Sequence, residues 1–156
     1  MLSFPWQKLG CDLFGYQGAQ YLLVAEYCSK YPILRKLNLT TSAIINHLKS
    51  IFAKHRIPES LVTGNGPQYS SREFAAFCNH WGINHITSSP LYPKINGFIE
   101  QMFQTVKNLL KKSDAAGQDR YLALLSYRTT PIDSNLPSPA ELLNQRDYHT
   151  QLPCGG

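Results

Sequence analysis

Two carboxylates stand where the sequence could support metal chemistry. Asp12 lies near the end of a predicted strand over residues 6–14, and Glu100 lies in the first turn of a helix that Asn96 can cap. A carboxylate at the end of a central strand is costly unless it is paired or bound to a metal ion. A strand-borne Asp and a helix-borne Glu could together hold Mg²⁺, which favours a few carboxylates plus substrate phosphates. Taken alone, two acidic residues so far apart in sequence indicate such a site only weakly.

The composition favours a globular domain with an acidic partner. Fifteen Lys and Arg residues outnumber ten Asp and Glu residues among 156, which gives a net charge of +5. This balance suits a polyanion, although many basic proteins bind none. Apolar residues make up 43% of the chain, which excludes a disordered or fibrous protein. The longest apolar runs are five residues, against the ~20 of a membrane helix, so we expect no membrane partner.

The four cysteines, at positions 11, 28, 78 and 154, form no Cys-x-x-Cys pair. Cys78, His80 and His85 lie close together, but their spacing matches no common zinc site. We therefore expect Cys11, Cys28 and Cys78 to be small buried residues. Reduced thiols of this kind are typical of an intracellular protein.

The elements that must position the two carboxylates follow a mixed pattern. Residues 6–14, 21–27 and 33–39 are predicted strands joined by short turns, which favours an antiparallel meander. Thr41 or Ser42 then caps a helix that ends before Pro58. Short strands at 60–63 and 83–87 flank a helix at 72–81, and further helical stretches follow at about 96–112, 120–129 and 138–145. Periodicity alone therefore predicts a mixed α/β domain.

The helix after Asn96 carries two distinct faces. Its apolar stripe consists of Ile99, Met102, Phe103, Val106, Leu109 and Leu110. Glu100, Gln104, Lys107 and Lys111 recur at spacings of three and four residues on the opposite side. The pattern by itself favours an ordinary solvated face over a functional one.

Short motifs in a fixed order connect these elements with a known family. In chain order they are Pro5-Trp6-Gln7-Lys8 with Asp12-Leu13-Phe14, Tyr21-Leu22-Leu23-Val24, Gly64-Asn65-Gly66-Pro67-Gln68-Tyr69, Ser89-Pro90-Leu91-Tyr92-Pro93 with Asn96-Gly97, Gln104-Thr105-Val106-Lys107, Tyr127-Arg128-Thr129-Thr130-Pro131 and Ser138-Pro139-Ala140-Glu141-Leu142-Leu143. Together they resemble the integrase catalytic core of gypsy-class long-terminal-repeat retrotransposons and retroviruses. The resemblance spans residues 5–146 and leaves 147–156 as a C-terminal tail. It implies a ribonuclease-H-like α/β fold, with a five-stranded mixed sheet flanked by helices.

The family uses an Asp, Asp, Glu triad that holds Mg²⁺ or Mn²⁺, with 35 residues between the last two members. Asp12 matches the first position and Glu100 the third. Counting back from Glu100, the second position is Gly64, and it is followed by Asn65 and Gly66 in the family's context. Glycine has no side chain and cannot coordinate a metal ion. The resemblance therefore implies DNA integration chemistry, through 3′-end processing and strand transfer, in a core whose metal site is weakened and whose catalysis is greatly reduced or absent.

The resemblance also implies contacts with DNA around this triad. Lys107 lies two turns beyond Glu100 and matches a lysine that faces the DNA end in the family. Each phosphate contact would add a salt-dependent, sequence-independent affinity. Two further lysines are candidates for DNA contact: Lys94 in the loop before this helix and Lys111 on the helix face that carries Lys107. The remaining candidates are Gln104 on that helix face, and Asn65 and Tyr92 near the triad.

Two functions stay open at this point. One is an integrase core that is enzymatic in class but disabled at Gly64, and the other is a non-catalytic DNA- or protein-binding module derived from an integrase. An active nuclease with a rearranged site is disfavoured. The implied partners are the element's DNA ends and target DNA, with no small-molecule substrate. Cores of this family commonly pair, although no motif here decides for a homodimer, and the expected location is intracellular, in the nucleus when the protein acts.

Overall fold

The computed structural model describes residues 4–37, 40–88, 97–131 and 135–144. The strands are β1 (Lys8–Tyr16), β2 (Ala19–Glu26), β3 (Pro32–Lys36), β4 (Ser60–Thr63) and β5 (Asn84–Thr87). The helices are α1 (Thr41–Lys54), α2 (Pro67–Ser70), α3 (Arg72–His80), α4 (Gly97–Ala115), α5 (Arg120–Thr129) and α6 (Pro139–Asn144). Within these ranges, every helix is too short or too polar to cross a membrane.

The strands form one sheet in the order β3-β2-β1-β4-β5. β1 pairs with β2 and β2 with β3 in antiparallel fashion, whereas β1 with β4 and β4 with β5 are parallel. The turn between β1 and β2 is formed by Gln17 and Gly18, both with positive φ (49° and 77°), as a tight hairpin requires. α1 and α3 provide the crossovers that parallel strands need. The predicted five-stranded mixed sheet with flanking helices is confirmed.

Helices cover both faces of the sheet, because side chains alternate along each strand. On one face, Leu9 and Cys11 of β1 pack in the larger core, together with the buried residues of α1: Ile44, Ile45, Leu48, Ile51 and Phe52. On the other face, Phe14 and Tyr16 of β1 pack under the buried α4 residues Ile99, Met102, Val106 and Leu110. α4 therefore lies across the central strand that carries Asp12.

Four local details differ from the sequence-based predictions. The N-cap of α1 is Thr40, one residue before the predicted Thr41 or Ser42. β1 runs two residues beyond its predicted end, so Asp12 lies in the middle of the strand. α2 is a four-residue helix, too short for periodicity to reveal. α4 continues past its predicted end near residue 112.

The cysteines agree with prediction at two positions. Cys11 and Cys78 are free and buried. Cys28 is only half-buried and takes part in a disulfide, so the prediction of a buried, reduced thiol is wrong there.

Candidate functional site

Asp12 projects from the central strand toward α4. On the same side of β1, Gly10 lies against Ile99, whose Cδ1 would be 3.4 Å from a Cβ at position 10. Phe14, two residues beyond Asp12, stacks on Phe103 of α4 with 5.5 Å between the ring centroids. Residues 10, 12 and 14 share one side of the strand. The carboxylate of Asp12 is therefore directed toward the first two turns of α4.

Gly64 lies beside Asp12 at the end of the neighbouring strand. β1 and β4 pair in parallel with Cys11 opposite Thr63, so the residues that follow these two lie at the same level. A Cβ built at Gly64 would be 2.8 Å from Oδ2 and 3.0 Å from Oδ1 of Asp12. The φ of Gly64 is outside the left-handed region, so its backbone conformation does not require glycine. A side chain at position 64 would meet the Asp12 carboxylate, and only its absence lets Asp12 lie where it does.

Glu100, Gln104 and Lys107 line one open cleft between α4 and residues 13–15, with a volume of about 490 Å³. Glu100 and Gln104 are exposed, whereas Lys107 is half-buried with its Nζ 5.9 Å from the centroid of the Phe14 ring. The sequence pattern placed these residues opposite the apolar stripe. In the structure they lie at its border, where α4 meets β1, so they face a concave surface and not open solvent alone.

The side chains around Asp12 do not amount to a two-metal centre. In the part of the chain that the structure describes, no three His, Cys, Asp or Glu side chains lie close enough together to hold a metal ion. Gly64 supplies no oxygen, and the Asp12 carboxylate lies in the space a side chain there would enter. Mg²⁺ needs carboxylate oxygens in near-ideal octahedral geometry, completed by water and substrate phosphate. The residues present therefore do not fit the metal centre that the resemblance implies.

A hydrogen-bond network that the sequence did not reveal holds the backbone at Gly64. The Thr63 hydroxyl donates to the carbonyl oxygen of Gly64 (2.9 Å) and lies 2.7 Å from Nε2 of His85. Because a hydroxyl has one proton to give, His85 must donate from Nε2 and Thr63 must accept. Burial lowers the pKa of His85, which favours the neutral ring, and in that ring the proton lies on Nε2. No spacing rule joins positions 63 and 85, since only the parallel pairing of β4 with β5 brings them together.

The remaining candidate residues are more dispersed. Asn65 is exposed next to Gly64. Lys111 is exposed one turn beyond Lys107 and does not line the cleft. Tyr92 and Lys94 lie outside the described residues, as does the predicted tail at 147–156.

Comparison with known proteins decides the family. The family model of the integrase core domain matches residues 7–93, more than half of the chain. The chain belongs to the integrase core domain family. An uncharacterized protein of Caenorhabditis elegans is 36% identical to this integrase core over 156 residues, covering 95% of the chain and 12% of that protein. The Gag-Pro-Pol polyprotein of sheep pulmonary adenomatosis virus is 40% identical over 73 residues, which cover 47% of the chain and 4% of the polyprotein. This integrase core thus spans a small part of the length of these relatives.

Solved structures show the same architecture. The catalytic core domain of BIV integrase matches this integrase core with a TM-score of 0.76 and 17% identity, covering 89% of the chain and 94% of that one. A chain of the simian T-cell lymphotropic virus intasome, solved in complex with PP2A regulatory subunit B56 gamma, matches with a TM-score of 0.75 and 24% identity over 97% of the chain and 58% of that one. At these identities the likeness shows the fold alone, and it confirms the predicted ribonuclease-H-like architecture.

Proposed function

We propose that this chain is the core of a retrotransposon-type integrase whose catalysis is impaired or lost at Gly64. The observation that supports the proposal is the position of that residue. A side chain at position 64 would point at the Asp12 carboxylate from 2.8 Å, and the backbone there has no need of glycine. Position 64 thus lies where a second acidic metal ligand is expected, but glycine has no side-chain atom that could bind a metal ion.

The reaction proposed for an intact core of this kind is phosphoryl transfer on DNA. Water trims the 3′ end of the element, and the freed 3′-hydroxyl then attacks a target phosphodiester. The carboxylates of an intact core would hold metal ions, which would stabilise the attacking and leaving oxygens of such a displacement. Asp12 and Glu100 are the carboxylates left for that task, and loss of one ligand is expected to raise the barrier by several kcal/mol, where about 1.36 kcal/mol is tenfold in rate.

DNA is the partner that the cleft beside α4 supports best. Lys107 and Glu100 line the same open cleft. A DNA phosphate that enters this cleft from solvent can contact the Lys107 ammonium group. The further proposed contacts are Gln104, Lys111 and Asn65, and, outside the described residues, Tyr92 and Lys94. The element's DNA ends and target DNA are the proposed ligands, and pairing of two cores in the nucleus is part of the same proposal.

The test compares the chain with two variants at one position. Gly64→Asp restores a carboxylate, and Gly64→Asn adds the same volume without charge. We expect disintegration or strand-transfer activity with Mn²⁺ to rise only in Gly64→Asp, because only that variant adds a charged oxygen ligand. Robust activity in the unmodified chain would refute the proposal.

A second function, a non-catalytic DNA-binding module derived from an integrase, is favoured by one observation. The cleft keeps Gln104 and Lys107 in place although the neighbouring metal site is incomplete. Filter binding of duplex DNA at low and high salt separates this function from a purely structural domain. Binding that weakens steeply with salt supports it, since released counterions drive phosphate contacts. Lack of salt-sensitive binding contradicts it.

A further inference from the structure

A second basic site lies at the outer edge of the sheet, away from the cleft beside α4. We call it the β3-edge pocket: a cavity of about 290 Å³ at whose apolar wall (Ile33, Leu34 and Leu124) lie the polar side chains of Arg35, Lys54, His55, Arg128, Tyr31 and Tyr121. Three elements distant in sequence each contribute one permanent cation to it. No local sequence motif predicts the site, because its cations are spread over more than ninety positions of the chain.

Arg35 is the central cation of this pocket. It is half-buried, and its Nε is fully buried with no hydrogen-bond partner. A buried guanidinium N–H without an acceptor carries the desolvation cost of a charged donor. Side chains alternate along β3, so Arg35 lies on the same sheet face as Ile33 and Leu34 lies on the other. The face of Leu34 is the one that α4 covers. The Arg35 side chain therefore belongs to a surface separate from the cleft beside α4.

Arg128 is fixed in the pocket by the β3 backbone and an aromatic ring. Its Nε and Nη2 both donate to the carbonyl oxygen of Pro32, at 3.1 and 2.7 Å, and its guanidinium lies 4.7 Å from the centroid of Tyr31. Burial, and secondarily the charge of Arg35, lowers the pKa of Arg128. Arg35 and Arg128 line the same cavity, so two like charges are held at one site.

Among the residues that the structure describes, no Asp or Glu lines the β3-edge pocket. The ion pair between Arg120 and Asp114 lies outside it. Arg35 and Lys54 make no hydrogen bond or ion pair in the described structure. Cations brought together in this way normally have an anionic counterpart, because desolvated like charges are costly when left alone.

We propose that the β3-edge pocket binds a phosphate-type oxyanion through Arg35, Lys54 and Arg128. Guanidinium groups present paired N–H donors that match the oxygens of phosphate, and Lys54 adds a mobile ammonium at the rim. The cavity volume accommodates one tetrahedral oxyanion with water around it. The anion comes either from free phosphate or from the backbone of bound DNA, and the site does not depend on catalysis at Asp12.

The test measures binding of inorganic phosphate to the 156-residue chain at constant ionic strength, by NMR. We expect saturable shifts of pocket resonances, including the Nε–H of Arg35. Arg35→Met should weaken binding by roughly tenfold or more, as expected for loss of a charged hydrogen-bond donor. Lys54→Met should weaken it less, and Lys49→Met, on the exposed face of α1 outside the pocket, should leave it unchanged.

A competition arm identifies the source of the anion. A short DNA duplex that displaces phosphate from the pocket assigns the site to the DNA backbone, whereas retention of phosphate beside bound duplex assigns it to a free oxyanion. The proposal is overturned if no saturable shift occurs in the pocket, or if Arg35→Met and Lys54→Met both bind phosphate as the wild type does. Should Arg35→Met fail to fold, Lys54→Met, whose side chain is exposed, and the location of the wild-type shifts still decide.

Discussion

The Gly64→Asp variant tests the placement of position 64 through stability as well as activity. In the structure, the Asp12 carboxylate lies 2.8 Å from where a Cβ at position 64 would be. Any side chain at position 64 requires the Asp12 side chain to rotate away. An aspartate at position 64 also places a second negative charge next to the Asp12 carboxylate. Gly64→Asn requires the same rotation without the charge. The difference between these two variants therefore isolates the repulsion between carboxylates.

Coulomb's law sets the size of this difference. Two unit charges 4 Å apart interact by about 4 kcal/mol at an effective dielectric constant of 20 and by about 1 kcal/mol in water. Asp12 is half-buried, so its environment lies between these limits. We expect the free energy of unfolding of Gly64→Asp to be ~1–4 kcal/mol below that of Gly64→Asn when no divalent cation is present.

Urea unfolding with chelator, and again with saturating Mg²⁺ or Mn²⁺, provides the measurement. A cation that bridges the two carboxylates binds the folded state alone, and at a hundred times its Kd it adds about 2.7 kcal/mol. The deficit of Gly64→Asp should therefore shrink or reverse with metal, while Gly64→Asn and the wild type stay nearly unchanged. Equal stabilities of the two variants in chelator, or an equal response of both to metal, would show that position 64 does not face Asp12 closely.

Three further predictions concern the elements around the site. Hydrogen bonds from a neighbouring arginine and tyrosine lower the pKa of Asp114, so Asp114→Asn should cost stability at pH 7, and the gap should close as pH falls below about 4, measured by urea midpoints. Ile99 is fully buried against β1, so Ile99→Ala should lower the free energy of unfolding by ~2–5 kcal/mol, whereas Leu122→Ala, at an exposed position, should change it by less than about 0.5 kcal/mol. Thr63→Val removes the hydroxyl that pairs with Nε2–H of His85 and with the carbonyl oxygen of Gly64. We expect this change to lower the free energy of unfolding by ~1–3 kcal/mol, measured by urea or thermal unfolding.

The fold could be predicted from the sequence because its elements carry local signals. The apolar positions of α4 recur at helical spacing, and the structure buries four of the six, leaving Phe103 and Leu109 half-buried. The turn at Gln17 and Gly18 marks the first hairpin. Details set by geometry were missed: three hydroxyl residues in a row can each cap α1, and only the extended backbone of Thr40 selects it.

The site was predictable only in part, because its residues meet through pairing and not through spacing. Counting along the chain found position 64, yet its closeness to Asp12 follows from the parallel register of β1 with β4. The Thr63–His85 hydrogen bond and the cations at the β3 edge join residues from separate elements. Nothing local to Arg35 or Arg128 indicates that they share a cavity.

The same geometry explains why the fold does not depend on a side chain at position 64. The strand before Gly64 is held by Leu61 and Val62, which are fully buried, whereas a side chain at position 64 would contact chiefly the Asp12 carboxylate. Removing one of two facing carboxylates therefore takes no packing from the core and, in the absence of metal, relieves a repulsion. Selection for metal-dependent catalysis is the physical reason to keep an acidic residue there, and stability is not. A core that lacks an acidic residue there is thus expected to remain folded, with Lys107 still lining the cleft beside α4.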